Sequence, residues 1–123
     1  MEFDELSGKV IGCAIEVHKN LGPGLLESAY ERCLSQELTS AGIRYETQKE
    51  LPIDYKGLKL DSGYRIDLIV ANCVIVELKS IEKILPIHEA QILTYMKLAG
   101  IKVGLLMNFN VLKLKDGIKR FVL

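Results

Sequence analysis

Three charged residues, Asp67, Glu77 and Lys79, lie within a short and otherwise mostly apolar part of the sequence. Alternate residues of a β-strand share a face. A strand over 64–70 therefore points Asp67 away from its apolar stripe, and a strand over 74–79 does the same with Glu77 and Lys79. The pattern predicts that all three charges lie on one side of a sheet.

The apolar stripes also fix how these two strands pair. In an antiparallel hairpin both stripes reach the same face only if Leu68 lies opposite Val76, because a slip of one residue would turn one stripe over. This register places Asp67 opposite Glu77. It also requires a turn with an odd number of residues, such as Ala71-Asn72-Cys73.

Two opposed carboxylates repel each other by up to about 1 kcal/mol when half exposed, and Lys79 compensates only part of that repulsion. A hard divalent cation, Mg²⁺ or Mn²⁺, would complete the compensation, because it prefers oxygen ligands such as Asp67, Glu77 and the Leu78 carbonyl. A cation of this kind acidifies a bound water, and a neighbouring ammonium group can orient that water. The sequence thus predicts metal-dependent hydrolysis of phosphodiester bonds.

The chain has 123 residues, of which 49% are hydrophobic and 26% charged. This composition is typical of a folded protein, and we expect a single domain over residues 1–123. The three cysteines form no CxxC pair and lie in apolar stretches, which predicts buried thiols. With an acidic N-terminal stretch and no apolar run near the roughly 20 residues that span a bilayer, we expect a cytoplasmic protein without a membrane partner.

Net charge is zero, yet the charges are unevenly distributed along the chain. Residues 1–62 hold 7 basic and 11 acidic residues, whereas residues 63–123 hold 9 basic and 5 acidic residues. The second half could present a basic surface to a nucleic acid, although such charges are also common on solvated faces.

Periodicity places these residues on an α/β fold with the element order ααββββαβββ. Two helices over 6–21 and 25–40 precede a predicted hairpin, in which strand sequence over 45–55 leads through Lys56-Gly57 into a strand over 58–60, with Pro52 indicating a sheet edge. After the two strands already described come a helix over 87–99 and a strand over 103–108. We expect the chain to end in a hairpin of 111–115 and 118–122 that turns at Asp116-Gly117.

Asp67 followed ten residues later by Glu77-Leu78-Lys79 resembles the PD-(D/E)XK nuclease superfamily. Gly24-Leu25-Leu26-Glu27-Ser28-Ala29-Tyr30 matches the motif of the GxxExxY protein family, a small branch of that superfamily. The family pattern also resembles the stretches 64–67, 76–79, 88–91, 94–95 and 104–109, so the resemblance covers nearly the whole chain. It implies a restriction-endonuclease-like fold, a mixed β-sheet flanked by α-helices.

The resemblance also implies roles for residues of the second helix. Glu27 would add a carboxylate to the metal site or hold the residues that bind the metal. Glu31, one turn later on the same face, could share that role. An alternative for Glu27 is compensation of the helix dipole in the first turn. Tyr30 is a secondary candidate, since an aromatic residue at this spacing also suits the core.

Gln91 of the third helix resembles the glutamine that related nucleases place beside Glu-x-Lys. His88, Gln91 and Tyr95 are spaced to share one polar helix face, while Ile87, Ala90, Leu93 and Met96 are predicted to face inward. His88 could instead cap the helix start, so His88 and Tyr95 are secondary candidates.

Together these features predict a nuclease that acts on nucleic acid, with DNA favoured. The alternative is a non-catalytic module that keeps the nuclease fold and binds nucleic acid or protein, since no basic recognition helix is evident. Because a small domain offers little surface for gripping a duplex, we also expect a homodimer or a partner that delivers the substrate.

Overall fold

The computed structural model describes residues 2–61 and 63–123. Within these ranges the chain forms three α-helices, α1 (Glu2–Leu21), α2 (Glu27–Ser40) and α3 (Pro86–Ala99). The strands described are β1 (Tyr45–Glu50), β2 (Ile53–Tyr55), β3 (Leu58–Leu60), β4 (Arg65–Val70), β5 (Val74–Lys79), β6 (Val103–Asn108) and β7 (Ile118–Val122).

Glycines with positive φ follow all three helices, and Gly22 takes this place after α1 with a φ of 71°. Gly42 and Gly100 adopt φ angles of 72° and 69° just after α2 and α3, a left-handed conformation that glycine adopts without steric cost. α3 begins with Pro86, whose missing N–H leaves no hydrogen bond unmade in the first turn. None of the helices in the described ranges has the length and apolarity needed to cross a membrane.

The main sheet has the strand order β1-β4-β5-β6-β7. β5 and β6 pair in parallel and α3 connects them, whereas the other neighbouring strands pair antiparallel. The expected mixed sheet flanked by helices is confirmed.

Both faces of this sheet are covered. One face packs against α1 and α2, which contribute the fully buried Val10, Ala14, Tyr30, Leu34 and Leu38. The other face packs against α3, where Ile92 and Met96 cover Ile69 and Ile75. A Cβ at Gly104 would lie 2.6 Å from the Met96 sulfur, so this glycine lets α3 approach the sheet closely.

The predicted hairpin register is confirmed. Leu68 lies opposite Val76, and the turn between β4 and β5 has the three residues Ala71-Asn72-Cys73. Ala71 and Asn72 both have positive φ, and the Cys73 N–H donates to the Val70 carbonyl at 2.9 Å. Cys73 is exposed in this turn, so the prediction of a buried thiol is wrong for that residue.

Residues 45–55, which the sequence predicts as one strand, form two separate strands. β1 ends at Glu50, and after Leu51-Pro52 the chain enters the separate two-stranded sheet of β2 and β3. Pro52 has no N–H to donate to a ladder, and the Leu51 N–H donates to the Tyr64 carbonyl at 2.9 Å.

The predicted hairpin at the C-terminal end is wrong, because residues 111–115 form no strand. Leu114–Gly117 is a short 3-10 helix, and β7 pairs with β6 instead. The preceding loop is held by His18, whose Nε2 contacts the carbonyls of Phe109 and Val111 at 3.1 and 2.8 Å. The element order is therefore ααβββββαββ rather than ααββββαβββ.

Candidate active site

Asp67 and Glu77 meet where β4 and β5 stop pairing through their backbones. The described pairing ends at Leu68 and Val76. One residue further on, the Asp67 N–H donates to Glu77 Oε2 at 2.8 Å, and the Leu78 N–H donates to Asp67 Oδ2 at 2.8 Å. Each carboxylate thus takes the N–H of the opposite strand, a hydrogen bond that is stronger for a charged acceptor.

Glu77 is nearly enclosed, with 5% of its surface exposed. Burial and the neighbouring Asp67 carboxylate raise the pKa of Glu77 to about 8. The bond from the Asp67 N–H and the Lys79 ammonium oppose this increase without cancelling it. The Glu77 carboxylate therefore binds a proton readily, and another positive charge beside it would be favourable.

Gln48 links a further carboxylate, that of Glu31, to Asp67. Its side-chain amide donates to Asp67 Oδ1 at 3.2 Å and to Glu31 Oε1. Gln48 has a φ of 50°, which is unusual for a residue with a side chain, and it is missing from the otherwise regular pairing of β1 with β4. Burial and the nearby Asp67 raise the pKa of Glu31, while the bond from Gln48 lowers it.

Lys79 ends β5 and is held there by the neighbouring strand. Its carbonyl accepts a bond from the Phe109 N–H at 2.8 Å. The buried amide of Asn108 braces the next segment, because it donates to the Ile81 carbonyl at 2.9 Å and accepts from the Ile81 N–H at 3.1 Å.

The segment from Gly24 to Tyr30 ties the start of α2 to the end of β5. Glu27 Oε2 accepts from the Ser80 N–H at 3.3 Å, and the Ser80 hydroxyl donates to the Leu25 carbonyl at 2.6 Å. Gly24 has a φ of 96°, which favours glycine. Gly24 and Glu27 of the motif therefore both stabilise the fold at this point: Gly24 allows the turn, and Glu27 binds the backbone of Ser80.

Tyr30 is the remaining fixed residue of the motif, and its place is the core. Its side chain is fully buried and stacks on Phe109 with 4.3 Å between ring centroids. The hydroxyl donates to the Gly22 carbonyl at 2.6 Å and accepts from the Leu25 N–H at 3.1 Å. Tyr30 thus fixes the loop before α2.

α3 contributes Gln91 and Tyr95 to the same region. The Gln91 amide donates to the Tyr95 hydroxyl at 3.2 Å. Tyr95 is buried, and the negative charges of Glu77 and Asp67 add to the effect of burial in raising the pKa of its hydroxyl. His88 accepts a bond from the Leu85 N–H at 2.9 Å, which makes it a cap of α3.

The predicted inward face of α3 is partly wrong. Ile87 and Ala90 are exposed, whereas Tyr95 is buried with Ile92 and Met96. The helix is therefore turned so that Tyr95 lies toward the sheet with Ile92 and Met96, and Gly104 leaves room for Met96.

Sequence reasoning did not single out Gln48, Ser80 or Asn108 as site residues. Gln48 belongs to no motif, since its role depends on a positive φ that only the structure shows. Asn108 lies opposite Lys79 in the parallel pairing of β5 and β6, which a strand prediction alone could not reveal.

The donor atoms suit a hard cation only in part. Two carboxylates, one of them with a raised pKa, are the oxygen ligands that Mg²⁺ prefers, and Mg²⁺ commonly keeps several waters. Among residues 2–61 and 63–123, however, His, Cys, Asp and Glu side chains do not gather in groups of three or more that could hold a metal ion. Glu27 in particular is bound to Ser80 and does not form a three-carboxylate cluster with Asp67 and Glu77.

The family comparison covers nearly the whole chain. Residues 4–121 match the family model described as the PD-(D/E)XK nuclease superfamily. The searches of curated proteins and of solved structures found no match.

Proposed function

Since this chain belongs to the PD-(D/E)XK nuclease superfamily, we propose that it is a metal-dependent nuclease that hydrolyses phosphodiester bonds, with DNA favoured as the substrate. One observation carries the proposal. Asp67 and Glu77 each accept a main-chain N–H from the opposite strand at the end of the β4–β5 pairing, and the raised pKa of Glu77 favours a positive charge beside it. A single nuclease domain over residues 1–123 performs this reaction.

Asp67, Glu77 and the Leu78 carbonyl are the proposed ligands of Mg²⁺ or Mn²⁺. Such a cation, when bound, lowers the pKa of a ligated water and neutralises charge on the phosphate. Asp67 and Glu77 are held for this role by main-chain N–H groups, so the protein need not reorganise their strands to present oxygen atoms.

Lys79 is the proposed residue that orients the attacking water. It lies two residues from Glu77 on β5, and its charge is close enough to lower the pKa of Glu77. An ammonium group at this place donates to the water and to a phosphate oxygen as negative charge develops.

Glu27, Glu31 and Gln91 are proposed as supports of the site. Glu27 fixes the backbone of Ser80, directly after Lys79, and Glu31 approaches Asp67 through Gln48. Gln91 reaches the site through Tyr95. The bonds of residues 24–30 support our further proposal that the chain is a member of the GxxExxY branch.

The test is hydrolysis of single- and double-stranded DNA and RNA with Mg²⁺ or Mn²⁺. We expect Lys79→Ala and Asp67→Asn each to lose roughly 100-fold or more of the wild-type rate. Lys83→Ala is the matched control, because Lys83 is an exposed lysine of the following loop and its loss leaves the site intact. A metal-dependent activity that survives in both site variants would contradict the proposal.

One observation favours a second candidate, a non-catalytic module that binds nucleic acid or protein. Both Asp67 oxygens already accept N–H bonds, and the described residues hold no cluster of three metal-ligating side chains. Calorimetry separates the two functions, since the module would bind no Mg²⁺ that depends on Asp67 and Glu77. A homodimer or a delivery partner remains a prediction, which light scattering of the purified protein checks.

A further inference from the structure

We propose that the cavity beside Lys79 binds one unpaired base of a nucleic-acid strand, so that the protein acts on nucleotides outside a regular duplex. This inference rests on the proposed function, because it places the base of a nucleotide whose phosphate lies at Asp67 and Glu77. The cavity has a volume of about 520 Å³ and lies between α3 and the residues Leu51, Ile53 and Tyr64.

The walls of the cavity are mainly apolar and aromatic. Leu51, Ile53, Ile87 and Leu98 supply aliphatic surface. Tyr64 and Tyr95 line it with rings tilted by 54° and centroids 6.5 Å apart. Tyr64 keeps 52% of its surface exposed, so solvent reaches this wall of the cavity. Stacking on aromatic side chains is how proteins commonly bind single-stranded bases.

Polar groups of α3 converge on the same space. Gln91, Thr94 and His88 line the cavity, and an amide and a hydroxyl can both donate and accept hydrogen bonds. His88 Nδ1 accepts the Leu85 N–H, so in the neutral ring the proton lies on Nε2, which is then a donor. An apolar cavity with a few such groups suits a flat heterocycle with a polar edge.

Lys79 connects the cavity to the carboxylates. It lines the cavity and also acts on the charge of Glu77. A nucleotide carries its phosphate and its base on one sugar, so a base in the cavity brings the attached phosphate to this lysine. A base inside a duplex is paired and stacked, and therefore cannot enter unless it is released from the helix.

The competing occupant is a second copy of this chain. Tyr55 and Leu58, at the tip of the β2–β3 hairpin, are exposed and could extend an apolar contact between two copies. The polar groups of α3 and the position of Lys79 favour the base, because a contact between two copies would need neither.

The experiment measures anisotropy of two fluorescein-labelled octamers in EDTA, where no hydrolysis occurs. One is an octamer of deoxythymidine, and the other has the same phosphates but abasic sugars throughout. We expect the wild type to bind the thymidine octamer about tenfold more tightly, in line with stacking of one base. Equal affinity for the two octamers, or no binding of either, overturns the proposal.

Tyr64→Ala should remove this preference, and Tyr64→Phe should keep it because the ring remains. Tyr55→Ala is the matched control, since Tyr55 is 60% exposed but does not line the cavity. The circular dichroism spectra and melting temperatures of the variants identify any that fail to fold. If Tyr64→Ala is one of them, Tyr64→Leu, which keeps an apolar side chain without a ring, should lose the preference in its place. A preference that persists in folded Tyr64→Ala overturns the proposal.

The second copy and the nuclease function have their own outcomes. A wild-type dimer that Tyr64→Ala converts to a monomer, without loss of base preference, assigns the cavity to the second copy and overturns the proposal. A base preference without metal-dependent hydrolysis supports the cavity assignment and contradicts the nuclease function. Hydrolysis without a base preference supports the nuclease function and contradicts the cavity assignment.

Discussion

The main-chain N–H of Asp67 donates to the carboxylate of Glu77, while Asp67 itself accepts from the residue after Glu77. The two acidic side chains therefore substitute for the ladder bonds that β4 and β5 would otherwise make. Two carboxyl groups are fixed close together by backbone groups, and burial together with repulsion from Asp67 raises the pKa of Glu77. Stability and cation binding should both report on this arrangement.

Stability should decrease as the pH rises from about 4.5 to about 8. The folded-state pKa of Glu77 is raised to about 8 from 4.5, so over this range the folded protein keeps a proton that the unfolded chain loses. Folding then becomes less favourable with increasing pH, by up to about 5 kcal/mol in total. Urea unfolding at a series of pH values measures this dependence.

The matched variants for this measurement are Glu77→Gln and Glu82→Gln. Glu77→Gln carries no titrating group at that position and should lose most of the pH dependence, with a higher stability than the wild type at pH 8. Glu82 is an exposed carboxylate, so Glu82→Gln should behave like the wild type. An unchanged pH dependence in Glu77→Gln would contradict the assignment.

Mg²⁺ should stabilise the protein, and more so at pH 8.5 than at pH 6. A cation competes with the proton of Glu77, so its binding strengthens as that proton leaves. At a concentration 100 times the dissociation constant, the gain is about 2.7 kcal/mol. Differential scanning calorimetry with and without Mg²⁺ detects it, and Asp67→Asn should show little of the effect at either pH.

At position 48, glycine should give a more stable protein than alanine. Both substitutions remove the amide that bridges Glu31 and Asp67, but only glycine adopts a φ of 50° without strain. The expected difference in unfolding free energy is about 1 kcal/mol in favour of Gln48→Gly. Thermal unfolding of the two variants measures it.

Thr47 provides the control for that comparison. It is the neighbouring strand residue and is not among those with positive φ, so alanine should be preferred over glycine there. If glycine were favoured equally at positions 47 and 48, flexibility rather than backbone strain would explain the result.

Asn108→Ala should destabilise the protein by roughly 1–3 kcal/mol. The substitution leaves the N–H of Ile81 without its side-chain partner and removes the shorter of the two side-chain bonds to the Ile81 carbonyl, in a part-buried setting. Asn110→Ala is the control, because its exposed amide makes a long bond of 3.4 Å to the same carbonyl. We expect Asn108→Ala, but not Asn110→Ala, to lower hydrolysis as well, because the segment after Lys79 loses its brace.

Alternation of apolar residues was enough to predict the central hairpin. The stripes of β4 and β5 exclude any register shifted by one residue, which requires an odd-length turn, and the observed register has a turn of three residues. The site carboxylates could be placed opposite each other for the same reason. Their exchange of backbone bonds could not be predicted, because it depends on where the ladder ends.

Elsewhere the local pattern was overridden by tertiary contacts. Residues 111–115 have the sequence of a strand, yet β5 and β7 occupy both edges of β6 and His18 holds the loop after β6. Gly117 also packs so closely on the Asn108 carbonyl that a larger residue would not fit. His18 and Val111 are 93 positions apart in the sequence, and a contact of that kind leaves no periodic signal.

The bond between the Ser80 hydroxyl and the Leu25 carbonyl joins residues 55 positions apart, and Gln48 joins Glu31 on α2 to Asp67 on β4. Contacts of such long sequence separation form late, because the chain must first close large loops. Asp67 and Glu77 themselves lie ten positions apart on one hairpin, so the acidic pair is local, whereas its links to α2 require these large loops to close. A copy in which only the β4–β5 hairpin has formed therefore holds the two carboxylates together without the support that α2 gives them.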